Sequence, residues 1–230
     1  VEDLLVKNNV KVYRESGEIK TPHEVKVGEK VISTEYIIIA TGSEVKTLPI
    51  PIDPSMKMFT SKELLDIERI PESVLVIGGG VIGIELAYFL ANAGSKVTVI
   101  EFLDRILPMV DEEITEQVSD MLQGLGIEIY TSAKVKEVTA DSVLFEKNGS
   151  VIEKKTGSVL MAVGRGPNLS GVPCDSLGIA TDRGAIVTDN SLRTSVSNIF
   201  AIGDVNGKMM LAHTASMEAT IAVRNICCEP

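Results

Sequence analysis

Between residues 74 and 130 the apolar positions switch back and forth between two periods. Val74-Leu75-Val76-Ile77 is a continuous apolar run just after Pro71, as expected of a strand buried on both faces of a parallel sheet. Helical spacing follows over about 80 to 93, then a strand at Lys96–Glu101, a helix from about Asp111 to Leu125 with Gly126 as its stop, and a strand at Ile127–Tyr130. Strand, helix, strand, helix, strand predicts a doubly wound parallel α/β sheet. The spacing then shortens to Val135–Thr139, Ser142–Glu146 and Val151–Lys154, an antiparallel insert, and the apolar run Val159–Val163 returns the chain to the sheet.

The flanks read differently. Short β-pieces are predicted at Val10–Tyr13, Glu24–Val27, Lys30–Ser33 and the β-branched run Tyr36–Ala40, which ends in Thr41-Gly42-Ser43. Pro49, Pro51 and Pro54 predict a connector without regular structure. Beyond Gly166 come turn-rich segments, a strand at Asn198–Ile202 closing in Gly203-Asp204, and a helical stretch from about Ala212 to Ile226. The domain reading is residues 1–70 as the first part of a second α/β domain, 71–166 as a nucleotide-binding domain, and 167–230 as a return to the former.

Composition narrows the function classes. A formal net charge of −10 argues against a surface for nucleic acid or anionic lipid, which needs clustered Lys and Arg. The chain is 44 % apolar without an uninterrupted run near membrane-spanning length, and Val1–Val10 mixes charged and polar residues unlike a signal peptide. An acidic cytoplasmic protein is expected. The three cysteines are Cys174 and the adjacent Cys227 and Cys228, which fit no metal or secreted-disulfide spacing and read as reduced, incidental thiols. The absence of an initiating Met and the helix-like stretch running up to Pro230 suggest an excised piece.

The chemistry is concentrated at Gly78-Gly79-Gly80-Val81-Ile82-Gly83, a G-x-G-x-x-G sequence between a buried strand and a helix. In that context Gly78 permits the tight turn, Gly80 lets a pyrophosphate approach the backbone, and Gly83 lets helix and strand pack closely. The helix N-terminus offers N–H groups and partial positive charge to phosphates. The next strand ends in Glu101, eighteen residues after Gly83, where a carboxylate accepts from adenosine ribose hydroxyls and repels a 2′-phosphate. NAD is therefore expected over NADP, with Arg105 the one nearby residue that could soften the preference. Thr41-Gly42-Ser43 and Gly203-Asp204 also close strands, where open α/β sheets bind ligands; Asp204 could equally cap the next element.

Six pieces in one order carry a resemblance: 40–45, 76–85, 99–102, 163–168, 201–205 and 210–213. The chain resembles the pyridine nucleotide-disulfide oxidoreductases over nearly its whole length, and among them most closely the members that oxidise dihydrolipoyl groups; NADH oxidases, coenzyme A-disulfide reductases, mercuric reductases and a non-catalytic NAD-binding module remain alternatives. The resemblance implies NAD and FAD as cofactors, lipoyl domains of 2-oxo acid dehydrogenase complexes as partners, and a homodimer in the complete enzyme. It implies that Gly78, Gly79, Gly80, Val81, Ile82 and Gly83 line the NAD pyrophosphate, Glu85 the ribose near the nicotinamide, and Glu101 the adenosine ribose. Val135 and Gly164 would touch NAD through backbone and small-atom contacts. Thr41, Gly42 and Ser43 would approach FAD, Asp204 would bind its ribityl chain, and Met210, Leu211, Ala212 and His213 would pass beside the flavin ring.

The departures from the family are as specific as the matches. A second G-x-G-x-x-G for FAD, a C-x-x-x-x-C redox pair and the C-terminal His-Glu base are absent from these residues. His213 and Glu218 imitate the spacing of that base, but the preceding Met210-Leu211-Ala212 marks the flavin-side motif, so no catalytic residue and no metal ligand is assigned.

Overall fold

The computed structural model describes residues 2–227; Val1, Cys228 and residues 229–230 lie outside them. In chain order the first elements are helix α1 (Glu2–Lys7) and strands β1 (Gly17–Thr21), β2 (Glu24–Val27), β3 (Lys30–Ser33), β4 (Ile37–Ile39) and β5 (Ser43–Val45). Then come β6 (Met58–Phe59), α2 (Ser61–Leu65), β7 (Ser73–Ile77), α3 (Val81–Asn92), β8 (Lys96–Ile100), α4 (Glu112–Gly124) and β9 (Glu128–Tyr130). Strands β10 (Ala133–Val138), β11 (Ser142–Lys147), β12 (Ser150–Lys155) and β13 (Val159–Met161) complete this central run. The last part holds β14 (Arg165–Pro167), α5 (Cys174–Leu177), β15 (Thr181–Asp182), β16 (Ala185–Ile186), β17 (Ile199–Ala201), a 3₁₀ turn at Gly203–Asn206 and α6 (Ala212–Ile226).

The chain divides into two compact units, one made of residues 1–44 and 166–230, the other of 45–165. The second is an α/β unit around a five-stranded parallel sheet ordered β6-β13-β7-β8-β9. Strand alternation assigns its two faces. Val74 and Val76 turn to a core with Phe59, Leu64, Ile84, Ala87, Leu90 and Leu122 from the β6, α2, α3 and α4 segments. Leu75 and Ile77 turn to the opposite core with Ala133, Val135, Val138, Val143 and Phe145. Helices therefore cover one face and the antiparallel sheet β10-β11-β12 covers the other, which is why β7 is apolar at every position from Val74 to Ile77.

The first unit holds the antiparallel meander β1-β2-β3 and the parallel pair β17-β4. Here too alternation divides the strand. Ile199 and Ala201 pack with Ile19, Ile37, Ile39 and Ile186, while Phe200 packs with Leu192 and Ala222.

Two expectations need correction. The compact units divide at 44/45, and residues 51–59 of the connector expected to lack regular structure are stitched into the second unit. Val138 N–H donates to Pro51 O, Asp53 N–H donates to Val138 O, and β6 pairs with β13. The connector also contains α2, where Thr60 and Glu63 form a reciprocal capping box; the T-x-x-E spacing of Thr60 and Glu63 was its local signal. Val10–Tyr13 is not a strand, whereas the unpredicted β1 at Gly17–Thr21 pairs with β2.

Candidate functional site

In the second unit the carboxyl ends of β7 and β8 lie side by side, with Ile77 opposite Ile100 and Gly78 N–H donating to Ile100 O at 2.8 Å. The glycines between β7 and α3 serve different purposes. A β-carbon on Gly78, whose φ is +111°, would collide with the Ala162 carbonyl, and one on Gly83 would collide with the Gly78 carbonyl. Both are required by the packing of the protein itself. Gly80 is not: its φ is −74° and a β-carbon there would meet no atom within 4 Å apart from its own neighbours in sequence. The space over Gly80 is open, as close approach of a pyrophosphate to the backbone requires.

Helix starts show the same distinction. Asp111 caps α4 by accepting from Glu113 N–H at 3.1 Å, and Thr60 caps α2. Gly80 and Leu211, which precede α3 and α6, provide no side-chain cap, so the first N–H groups of these two helices are left for other acceptors.

Glu101 follows β8 and is 8 % exposed. Its Oε2 accepts from Gly79 N–H at 2.5 Å and its Oε1 from Leu103 N–H at 2.7 Å. The acid expected at the ribose thus sits against the loop expected at the pyrophosphate. Arg105 is engaged locally, donating to Pro108 O at 3.3 Å with Glu112 at 3.9 Å. Glu85 is exposed on α3, and Val81 and Ile82 occupy its first turn with Val81 55 % exposed. Val135 buries its side chain in the core beneath the sheet, which leaves its backbone for any ligand contact. Gly164 is exposed with a φ of +103°.

In the first unit the tertiary structure joins two pieces far apart in sequence. Ser43 Oγ donates to Asp204 Oδ2 at 2.5 Å, and Thr41 Oγ1 donates to Asn168 O at 2.5 Å. Gly42 O accepts from Asn168 N–H at 2.9 Å. Thr41 also lines an open cleft of about 810 Å³ with Glu18, Lys26 and Ser170. Met210, Leu211, Ala212 and His213 are exposed at the start of α6.

Glu218 is the functional-looking residue whose place was not legible. It is 7 % exposed, and its Oε2 accepts from Gly203 N–H at 2.6 Å and from Asn206 Nδ2 at 2.9 Å. It braces the turn that carries Asp204. Its signal in the sequence, a spacing from His213 that imitates a His-Glu base, pointed to a different role. Cys174 and Cys227 are free thiols, the first buried; burial, and then Asp175, pushes the Cys174 thiol up from its ordinary value. Among the described residues no group of His, Cys, Asp or Glu could hold a metal, and no helix is long and apolar enough to cross a membrane.

Comparison with known proteins converges on one family. A family model described as "Pyridine nucleotide-disulphide oxidoreductase" matches residues 1–219. Similar curated proteins include a dihydrolipoyl dehydrogenase of Acholeplasma laidlawii, 42 % identical over 97 % of this chain and 67 % of the relative. Another from Bacillus subtilis is 38 % identical over 98 % of this chain and 52 % of its own length. Among solved structures, the HOCl-induced flavoprotein disulfide reductase RclA from Escherichia coli superposes with a TM-score of 0.87 at 28 % identity, over 99 % of this chain and 54 % of RclA. The chain spans about half to two thirds of the length of these relatives.

Proposed function

The chain belongs to the pyridine nucleotide-disulphide oxidoreductase family, whose dihydrolipoyl dehydrogenases use FAD and NAD, and we propose that its second unit binds NAD within a protein of the dihydrolipoyl dehydrogenase type. The observation that carries the NAD reading is Gly80, a glycine that neither backbone conformation nor neighbouring atoms of the chain require. Gly78 to Gly83 would hold the pyrophosphate, with the uncapped first turn of α3 supplying N–H donors. Glu101 would accept from the adenosine ribose, and Glu85 would reach the ribose on the nicotinamide side. Bound NAD supplies a hydride acceptor at its nicotinamide; the residues of this unit bind it, orient it and select against a 2′-phosphate.

In the first unit Thr41–Ser43, Asp204 and Met210–His213 would contribute side contacts to FAD. The Ser43–Asp204 hydrogen bond supports this, because it holds the acid beside the Thr41–Ser43 turn. The phosphate-cradling G-x-G-x-x-G loop occurs once in these 230 residues, in the second unit, so the 230-residue chain should bind NADH but retain no flavin. Fluorescence titration with NADH and the absorbance of the purified protein near 450 nm test the two halves of this statement. A yellow preparation with near-stoichiometric flavin would overturn the second half, and absence of NADH binding the first.

A second reading, favoured by the likeness to RclA, is a flavoprotein reductase for a different substrate. It shares the same NAD site. Oxidation of dihydrolipoamide by the full-length protein, with NAD as acceptor, distinguishes the two. In the dihydrolipoyl dehydrogenase reading, lipoyl domains are partners and the full-length protein is a homodimer in the cytoplasm.

A further inference from the structure

Both carboxylate oxygens of Glu101 accept from backbone N–H groups of the chain itself, a task that ribose recognition does not explain. Gly79 is held from both sides by the segment that follows β8. Its N–H donates to Glu101 Oε2 at 2.5 Å, and its carbonyl accepts from Leu107 N–H at 2.8 Å. That segment is itself fixed, since Leu103 N–H donates to Glu101 Oε1 at 2.7 Å, Leu103 O accepts from Ser132 N–H at 2.7 Å and Glu101 O accepts from Ala133 N–H at 2.9 Å. A β-carbon on Gly79 would fall 2.9 Å from Ile106 Cγ2 and 3.1 Å from Glu101 Cβ. The glycine loop and the 101–107 segment are therefore pressed together with Glu101 as the joint.

From this geometry, and resting on the NAD reading above, we propose that Glu101 is a positioning residue that pins the pyrophosphate loop in its binding conformation before nucleotide arrives. Two backbone N–H donors converge on one side chain, and a carboxylate satisfies both because each oxygen only accepts. A glutamine has one acceptor oxygen, and its NH₂ group would face the second N–H. The same carboxylate keeps lone pairs for ribose hydroxyls, since it has about four acceptor sites. With both oxygens tied, it cannot swing aside for a 2′-phosphate. Exchanging Glu101 for a neutral residue should thus weaken both dinucleotides instead of converting the site to NADP.

The test is amide hydrogen exchange of the nucleotide-free chain by NMR, for wild type, Glu101→Gln and Glu101→Asp, followed by NADH and NADPH titrations of each. The Gly79 and Leu103 amides are expected to exchange at least about tenfold faster in E101Q, the scale of one lost charge-assisted bond, while Val99 in β8 keeps its protection. E101D, one methylene shorter, should lose protection at one of the two amides. NADH affinity should fall at least about tenfold in E101Q with no gain for NADPH. Unchanged exchange at Gly79 and Leu103 would overturn the proposal, as would faster exchange with undiminished NADH affinity or a variant that now prefers NADPH. A wild-type chain that binds no NADH would instead refute the NAD reading, with the exchange data still deciding whether Glu101 pins the loop.

Discussion

The glycine loop of the second unit and the Ser43–Asp204 pair of the first are built alike, yet they depend on the chain in different ways. Both stand where parallel strands end: Gly78 and Glu101 follow β7 and β8, and Ser43 and Asp204 come just after β4 and β17. The second unit draws its loop, helix start and acid from one run, residues 74–101, inside a five-stranded sheet with a core on each face. The first unit assembles its Ser43–Asp204 pair from residues 161 positions apart, on a two-stranded parallel pair. A site made from one continuous stretch carries its chemistry with it; a site made from remote segments depends on every contact that closes the intervening loop.

The largest effect that would break this comparison is at Gly80. Gly80→Val places a branched side chain where the proposed nucleotide would come, at a position whose β-carbon meets no atom within 4 Å apart from the residue's own neighbours in sequence. NADH affinity should fall at least about a hundredfold with the urea midpoint unchanged. Normal NADH binding by this variant would mean that the nucleotide lies elsewhere.

Gly83→Ala sharpens the contrast within the same loop, because its β-carbon would strike the Gly78 carbonyl. It should destabilise the second unit by about 1–3 kcal/mol, as overpacking does, measured as a lower urea midpoint. An unchanged midpoint would refute the requirement for glycine where α3 meets β7.

A smaller effect is the choice of nucleotide. With Glu101 buried against the loop, NADH should bind at least tenfold more tightly than NADPH, or about 1.4 kcal/mol. Equal dissociation constants would remove the basis for the ribose assignment.

The smallest effect lies in the connector, at Glu63→Gln. The hydroxyl and then the backbone N–H of Thr60 hold the Glu63 carboxyl below its ordinary value of 4.5. A depressed folded value stabilises above the unfolded one and fades as the pH falls through the folded one. The Tm of E63Q should therefore lie slightly below that of wild type from pH 8 to 5, and the gap should close below about pH 4. A gap that widened in acid would reverse the assignment.

Much of the second unit was legible because its signals are local. The apolar run 74–77, the glycine spacing and Gly126 all act within a few residues, and β7, α3, β8 and α4 form within a residue or two of the expected positions. The T-x-x-E box at Thr60 was equally local and was masked by the surrounding prolines. By contrast, β1 with the sequence Gly-Glu-Ile-Lys-Thr buries one residue, Ile19, so its apolar pattern is almost empty.

The sequence by itself determined the alternating α/β order, the glycine loop with its acid, and the family, because hydrophobic period, turn chemistry and residue spacing are properties of neighbours along the chain. Tertiary structure alone decided that residues 45–70 belong with the second unit, that Ser43 meets Asp204, that Glu218 braces the turn beneath it, and that Glu101 is bound to the loop it was expected to face across a ligand. These are pairings of remote groups. Each requires a stretch of chain to close and a donor to find an acceptor beyond its neighbours in sequence, and neither condition leaves a mark on the residues nearby.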